Sequence, residues 1–180
     1  MADLVDSKLA SDFLKSLQPT QVGAALSQLV AASIGNLVMV FSRSPSHKHY
    51  SFADVEWMVM PAVSAGQFYI VEATDKTSGF RAPIAAVTWA FVSEEVDRLL
   101  QTQAVPLRRL RPDQWTGGTI AWLIDAAGDA EGIRAALRWL ASGPFKEQPI
   151  KLITRDASGT TTVTTLEASL AEREAKTPTS

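Results

Sequence analysis

The chain contains no cysteine, which excludes disulfides, zinc–thiolate centres and thiol nucleophiles. Histidine is nearly as scarce, with His47 and His49 the only two. Two imidazoles at i, i+2 without an acidic cluster beside them make a poor metal site, so no metal is expected. An excess of one charge is also missing. Lys and Arg number 17 and Asp and Glu 19, a formal net charge of −2, and no nucleic-acid partner is expected of such a balance. The start, Met1-Ala2-Asp3-Leu4-Val5-Asp6, has no basic region and no early apolar run. A signal peptide is therefore not expected, and the protein reads as cytoplasmic.

Apolar residues make up 46% and charged residues 20% of the 180 positions, a globular balance with enough chain to bury one core. From Val22 to Phe41 run 20 residues without a formal charge, about the length of a membrane span. Ser27, Gln28, Ser33 and Asn36 interrupt that run, and its larger apolar residues (Val22, Leu26, Leu29, Val30, Ile34, Leu37, Val38, Phe41) recur at helical spacing. This pattern predicts a core helix with a polar side and no membrane span.

The order of elements follows from apolar periodicity and from cap and turn residues. Residues 1–19 predict an amphipathic helical arm ended by Pro19, and Thr20 is placed to cap the long helix that runs to about Ser42. After the loop Arg43–Tyr50, Ser51 and Asp54 predict a capping-box start to a second helix with Phe52, Val55, Met58, Val59 and Val63 as its apolar side. Gln67–Ala73 and Pro83–Val92 read as a strand hairpin about the turn Asp75–Gly79. Ser93-Glu94-Glu95 starts a helix carrying Val96, Leu99 and Leu100 that fades near Pro106. Thr119–Ala127 reads as an apolar strand, Ala130–Ala141 as a helix started by Asp129, and Ile150–Arg155 and Thr161–Leu166 as two closing strands. Helices interleave with strands and hairpins occur, so the prediction is one α/β (α+β) domain with a mixed sheet. Its bounds are a helical arm at 1–19, the domain at 20–167 and a polar, fraying tail at 168–180. The five tryptophans are expected mostly in the core.

Two segments carry the chemistry. His47 lies in Ser44-Pro45-Ser46-His47-Lys48-His49-Tyr50, and an imidazole is the side chain best suited to move protons near neutral pH. Asp125 closes the apolar run Ile120–Ile124, where burial would oblige the carboxylate to find a partner. A base from a loop and an acid from a distant strand form a common two-residue proton-transfer site, here expected to meet across a cleft open to solvent. His49 is expected to face solvent. Arg108, Arg109 and Arg111 form the only dense basic run and would give local positive potential to a chain that is negative overall.

Several segments, in order, resemble the RTX toxin-activating lysine acyltransferases, the family of the hemolysin-activating protein. They are Ser44-Pro45-Ser46-His47 with Met60-Pro61-Ala62-Val63, then Gln67-Phe68-Tyr69-Ile70. Next come Pro83-Ile84-Ala85, Thr88-Trp89-Ala90 and Ser93-Glu94-Glu95. Last are Trp115-Thr116-Gly117-Gly118, Trp122-Leu123-Ile124-Asp125 and Gly128-Asp129. The resemblance covers about residues 25–165. It implies a GNAT-like mixed sheet flanked by helices, and transfer of a fatty acyl group from acyl carrier protein to internal lysines of an RTX protoxin in the cytoplasm. With such an already activated thioester donor, the resemblance implies no bound cofactor. By position it assigns His47 as the essential histidine, Asp125 as the catalytic aspartate and Ser44 as the serine near the histidine. Arg108, Arg109 and Arg111 would then dock the acidic carrier protein, and a homodimer is consistent with the family. Backbone amides near Gly117-Gly118 or Gly128 are candidate oxyanion donors. The chain departs from the family pattern in its N-terminal arm, its mild acidity and Lys48-His49-Tyr50 after the histidine, which bears on the target protein rather than the chemistry. Two rival readings are a coenzyme A-dependent acetyltransferase on a similar fold and a non-enzymatic, chaperone-like client-binding module. The first needs a glycine-rich pyrophosphate loop, and Gly128-Asp129-Ala130-Glu131-Gly132 puts acids there instead.

Overall fold

A computed structural model describes residues 19–102, 109–155, 158–167 and 169–170. The predicted arm, apart from Pro19, lies outside the described residues, and so does most of the predicted tail. The chain divides into two compact units, residues 1–35 and 36–180. The described part of the first is helical backbone on which Leu26, Leu29 and Val30 are exposed. The helix concerned, α1, spans Pro19–Arg43 and is long and apolar enough by composition to cross a membrane. It begins at proline, whose fixed φ and missing N–H suit a first helical turn. Thr20 is therefore inside the helix and does not cap it. Further along, Leu37, Val40 and Phe41 are buried, so the core-helix prediction holds at this end.

The second unit is built on a five-stranded sheet of order β1-β2-β3-β4-β5. The strands are β1 (Phe68–Thr74), β2 (Arg81–Val92), β3 (Ile120–Gly128), β4 (Ile150–Arg155) and β5 (Thr161–Thr165). Neighbours pair antiparallel except β3 and β4, which are parallel. Parallel neighbours need a crossover, and helix Ala130–Ser142 provides it. The mixed sheet with flanking helices matches the predicted class.

The predicted second helix is broken. A 3-10 turn at Phe52–Asp54 leads into α2 (Val55–Met58) and then α3 (Met60–Ala65). Pro61 lacks an N–H and its ring would collide with the carbonyl four residues back, so it forces a restart and sits in the first turn of α3. Asp54 still reaches back to the Ser51 N–H at 2.6 Å and hydroxyl at 2.9 Å. Phe52 does not join the apolar side; it is 89% exposed.

Helix α4 (Glu94–Gln101) starts at Ser93, whose hydroxyl accepts from the Val96 N–H at 3.3 Å. The crossover helix α5 (Ala130–Ser142) is capped by Asp129. Each sheet face carries its own core. On one, Val87, Trp89, Leu123, Ala136, Leu137 and Leu140 form a cluster with α5. On the other, Ala62, Ala90, Val96, Leu100, Trp115 and Trp122 form a second. Trp89, Trp115 and Trp122 are buried, while Trp139 is partly exposed and stacks on Tyr69 with centroids 4.0 Å apart.

Candidate active site

Asp125 reaches the site through an irregularity in β3. Strand side chains alternate between faces, so counting from Ala121 and Leu123 would put Asp125 on the α5 face. The pairing of β2 with β3 slips at this point. Thr88 pairs with Asp125 and Trp89 with Leu123, leaving Ile124 as an extra residue. Such a bulge re-aims the side chains beyond it. Ala126 falls on the α5 side with Val87, and Asp125 falls on the other face with Thr88.

His47 arrives from the turn that ends α1. The Phe41 carbonyl accepts from the Ser44 N–H at 3.0 Å, and the Ser44 carbonyl accepts from the His47 N–H at 2.9 Å. The imidazole stacks on Phe41, centroids 4.7 Å apart and planes 9° off parallel. Its Nε2 lies 2.7 Å from Asp125 Oδ2. Asp125 Oδ1 accepts from the Ala126 N–H at 2.9 Å. The predicted base and acid, 78 residues apart in the chain, are in contact.

The pair is not open to solvent as expected. The His47 side chain is 0% exposed and that of Asp125 4%. A cavity of about 120 Å³ adjoins His47, lined by Val38, Phe41, Tyr50, Phe52, Val55 and Met58. A carboxylate oxygen only accepts, so in the neutral imidazole Nε2 carries the hydrogen and Nδ1 the lone pair. Facing Nδ1 are two hydroxyls, Ser44 Oγ and Ser46 Oγ, each at 3.0 Å, and these lie 3.1 Å from one another. Ser44 stands at the site as expected. Ser46 is an addition to it, and its place beside the histidine is the only signal of it in the sequence. Beside Asp125, Thr88 is buried and its hydroxyl has no hydrogen-bond partner among the described residues. His49 is exposed, as expected.

Of the basic run, Arg108 lies outside the described residues. Arg109 sits over the Trp57 ring at 5.8 Å. Trp57 meets Tyr50 edge-on at 5.5 Å, and Tyr50 meets His47 at 5.9 Å, so ring contacts lead from the arginine to the imidazole. Arg111 forms an exposed fork with Asp113, at 3.1 and 3.0 Å, which locally offsets its charge. The Arg111 guanidinium in turn holds the Asp113 carboxyl below the usual range.

Two backbone expectations need correction or closer definition. The Gly118 N–H already donates to the Phe91 carbonyl at 3.1 Å, so it is not an oxyanion donor. At the α5 N-terminus the Asp129 carboxylate accepts from the Glu131 and Gly132 amides, and its carbonyl accepts from Ile133. Those three amides are therefore taken, which works against a pyrophosphate loop there. Among the described residues no group of three or more His, Asp or Glu could hold a metal ion.

A second buried carboxylate has no clear signal in the sequence. Asp97, on α4, accepts from Trp122 Nε1 at 2.8 Å, Gln101 Nε2 at 2.6 Å and Lys151 Nζ at 2.7 and 3.0 Å. Burial pushes its carboxyl upward, but these hydrogen bonds and the Lys151 charge outweigh burial and hold it below the usual range. This network ties α4 to β3 and β4 and stands apart from His47.

Residues 27–167 match the model of the RTX toxin acyltransferase family. The lysine-acyltransferase RtxC of Vibrio cholerae serotype O1 is 33% identical over 86 residues, 47% of this chain and 50% of that protein. The leukotoxin-activating lysine-acyltransferase LktC of a Pasteurella haemolytica-like species is 27% identical over 92 residues, 51% of this chain and 50% of that protein. The chain thus spans about half the length of the curated relatives it matches. With the match to the family model covering most of its length, the chain belongs to the RTX toxin acyltransferase family.

Proposed function

We propose that the chain is a protein-lysine acyltransferase, moving a fatty acyl group from acyl carrier protein to an internal lysine of an RTX-type protoxin and so activating it. The contact between His47 and Asp125 carries this reading, because it supplies the base that the chemistry requires. A lysine amine with a pKa near ~10.4 is neutral in only about one molecule in a thousand at physiological pH, a cost of about 4 kcal/mol. A positioned general base recovers part of it, typically ~10²–10⁴-fold. The thioester donor is already activated. His47 takes the amine proton at Nδ1 while Asp125 fixes the tautomer and stabilises the imidazolium, the division of labour in a hydrolase triad.

The apolar cavity beside His47 suits the first carbons of an acyl chain. Arg109, with Arg108 and Arg111, is assigned to docking the acidic carrier protein. The proposed compartment is the cytoplasm, and a homodimer is consistent with the family.

The test is incubation of the chain with long-chain acyl carrier protein and an RTX repeat protein, with mass spectrometry of the acceptor's lysines. Acyl-sized mass shifts with the native chain, absent for a folded His47→Ala variant, are expected. Full turnover by that variant would overturn the reading.

A further inference from the structure

The imidazole assigned as base has no exposed side-chain surface, yet a base must exchange its proton with a lysine that arrives from solvent. One ring nitrogen is committed, since Nε2 is held by Asp125 at 2.7 Å. Exchange has to run through Nδ1, and what covers Nδ1 is a pair of hydroxyls.

The two hydroxyls differ in where they sit. Ser44 is buried beneath the ring, and its carbonyl is occupied by the His47 and Lys48 amides. Ser46 is exposed, and its Oγ lies 3.0 Å from Nδ1 and 3.1 Å from Ser44 Oγ. Between them stands Pro45, whose ring fixes its own φ and restricts the residue before it. The two serines are thereby held on the same nitrogen at low entropic cost. Ser46 is the residue that reaches both the buried lone pair and the outside.

We propose that Ser46 is a further catalytic residue, the hydroxyl that passes the substrate proton to His47. This rests on the acyltransferase reading. The neutral lysine nitrogen attacks the thioester carbonyl carbon and forms the new C–N bond. Its surplus proton moves to Ser46 Oγ as the Ser46 proton moves to Nδ1, leaving Ser46 neutral and His47 as imidazolium. The tetrahedral intermediate then collapses, the C–S bond breaks, and the sulfur leaves with the electron pair. The proton returns along the same path to the departing sulfur, giving amide, free thiol and neutral imidazole. No other reactant is needed. Ser44 holds the ring and the relay hydroxyl in register.

The relay moves two protons together, and that is what the test reads. In the native enzyme kcat should fall in deuterated water with a curved dependence on deuterium fraction. Ser46→Ala should lower kcat by about 10²-fold, within the range for losing a positioned proton-transfer group. KM for acyl carrier protein and the melting temperature should stay unchanged, and Ser46→Thr should recover most of the rate. A Ser46→Ala enzyme with native kcat and a native isotope profile, alongside an inactive His47→Ala, would overturn the relay and leave the acyltransferase reading standing. Native turnover by His47→Ala would overturn both.

Discussion

Replacing Asp125 by Asn tests the site at the level of single hydrogen atoms. The carboxylate accepts from His47 Nε2 at 2.7 Å and from the Ala126 N–H at 2.9 Å. An amide has one oxygen to offer. If that oxygen keeps Ala126, the NH₂ faces Nε2 and forces the imidazole hydrogen onto Nδ1. The lone pair then points at the amide, and the serine hydroxyls face a donor where they met a base. These two contacts remain satisfied, so their replacement should cost the fold no more than about 1 kcal/mol. Loss of the correct tautomer removes general-base catalysis, about 10²–10⁴-fold in kcat, or roughly 3–5 kcal/mol at 1.36 kcal/mol per factor of ten. Steady-state acylation assays give the rate, thermal melts give the stability, and imidazole nitrogen chemical shifts report which nitrogen is protonated. A variant within tenfold of native kcat, with its proton on Nδ1, would refute the account of how the pair works.

Other parts of the molecule give three more expected outcomes. Thr88→Val removes a buried hydroxyl with no partner among the described residues, and should raise stability by about 1 kcal/mol in denaturant titrations without lowering acylation; a loss of rate would show that the hydroxyl serves the reaction. Because Asp97 titrates lower folded than unfolded, the native state binds fewer protons, and its contribution is present above about pH 4 and lost as the pH falls through the depressed folded value. Lys151→Met should flatten that acid limb in melting curves taken at a series of pH values, and an unchanged limb would count against the ion pair. Arg109→Glu should raise KM for acyl carrier protein and weaken its salt dependence, whereas Arg111→Glu should do less because Asp113 already offsets that charge; equal effects at both positions would contradict this.

Much of the architecture can be read from local signals. Ser93 and Asp129 cap helices as their positions imply, and the hairpin and the parallel crossover fall where turn residues and apolar runs place them. Local signals mislead where one rule competes with another. Ser51 and Asp54 mark a helix start so clearly that they mask Pro61, an equally plain breaker. Asp97 looks like an acid favoured in a first helical turn, and nothing nearby signals a partner in Lys151 on another strand. At the site, His47 and Asp125 are legible as residue types. Their meeting is not, because the apolar run Ala121–Ile124 carries no alternation from which to read a face. The bulge belongs to the pairing of two strands and has no signature in either one alone.

That single unmatched isoleucine makes the catalytic geometry a question of odd and even. Dropping Ile124 should leave Leu123 opposite Trp89 and Asp125 opposite Thr88, with the carboxylate still on the His47 face. Keeping every residue but pairing Ile124 with Thr88 would instead send the carboxylate into the packed layer beneath the crossover helix, while the neighbouring pairs stay almost as comfortable as before. An enzyme arranged in this way can lose its chemistry without losing its shape.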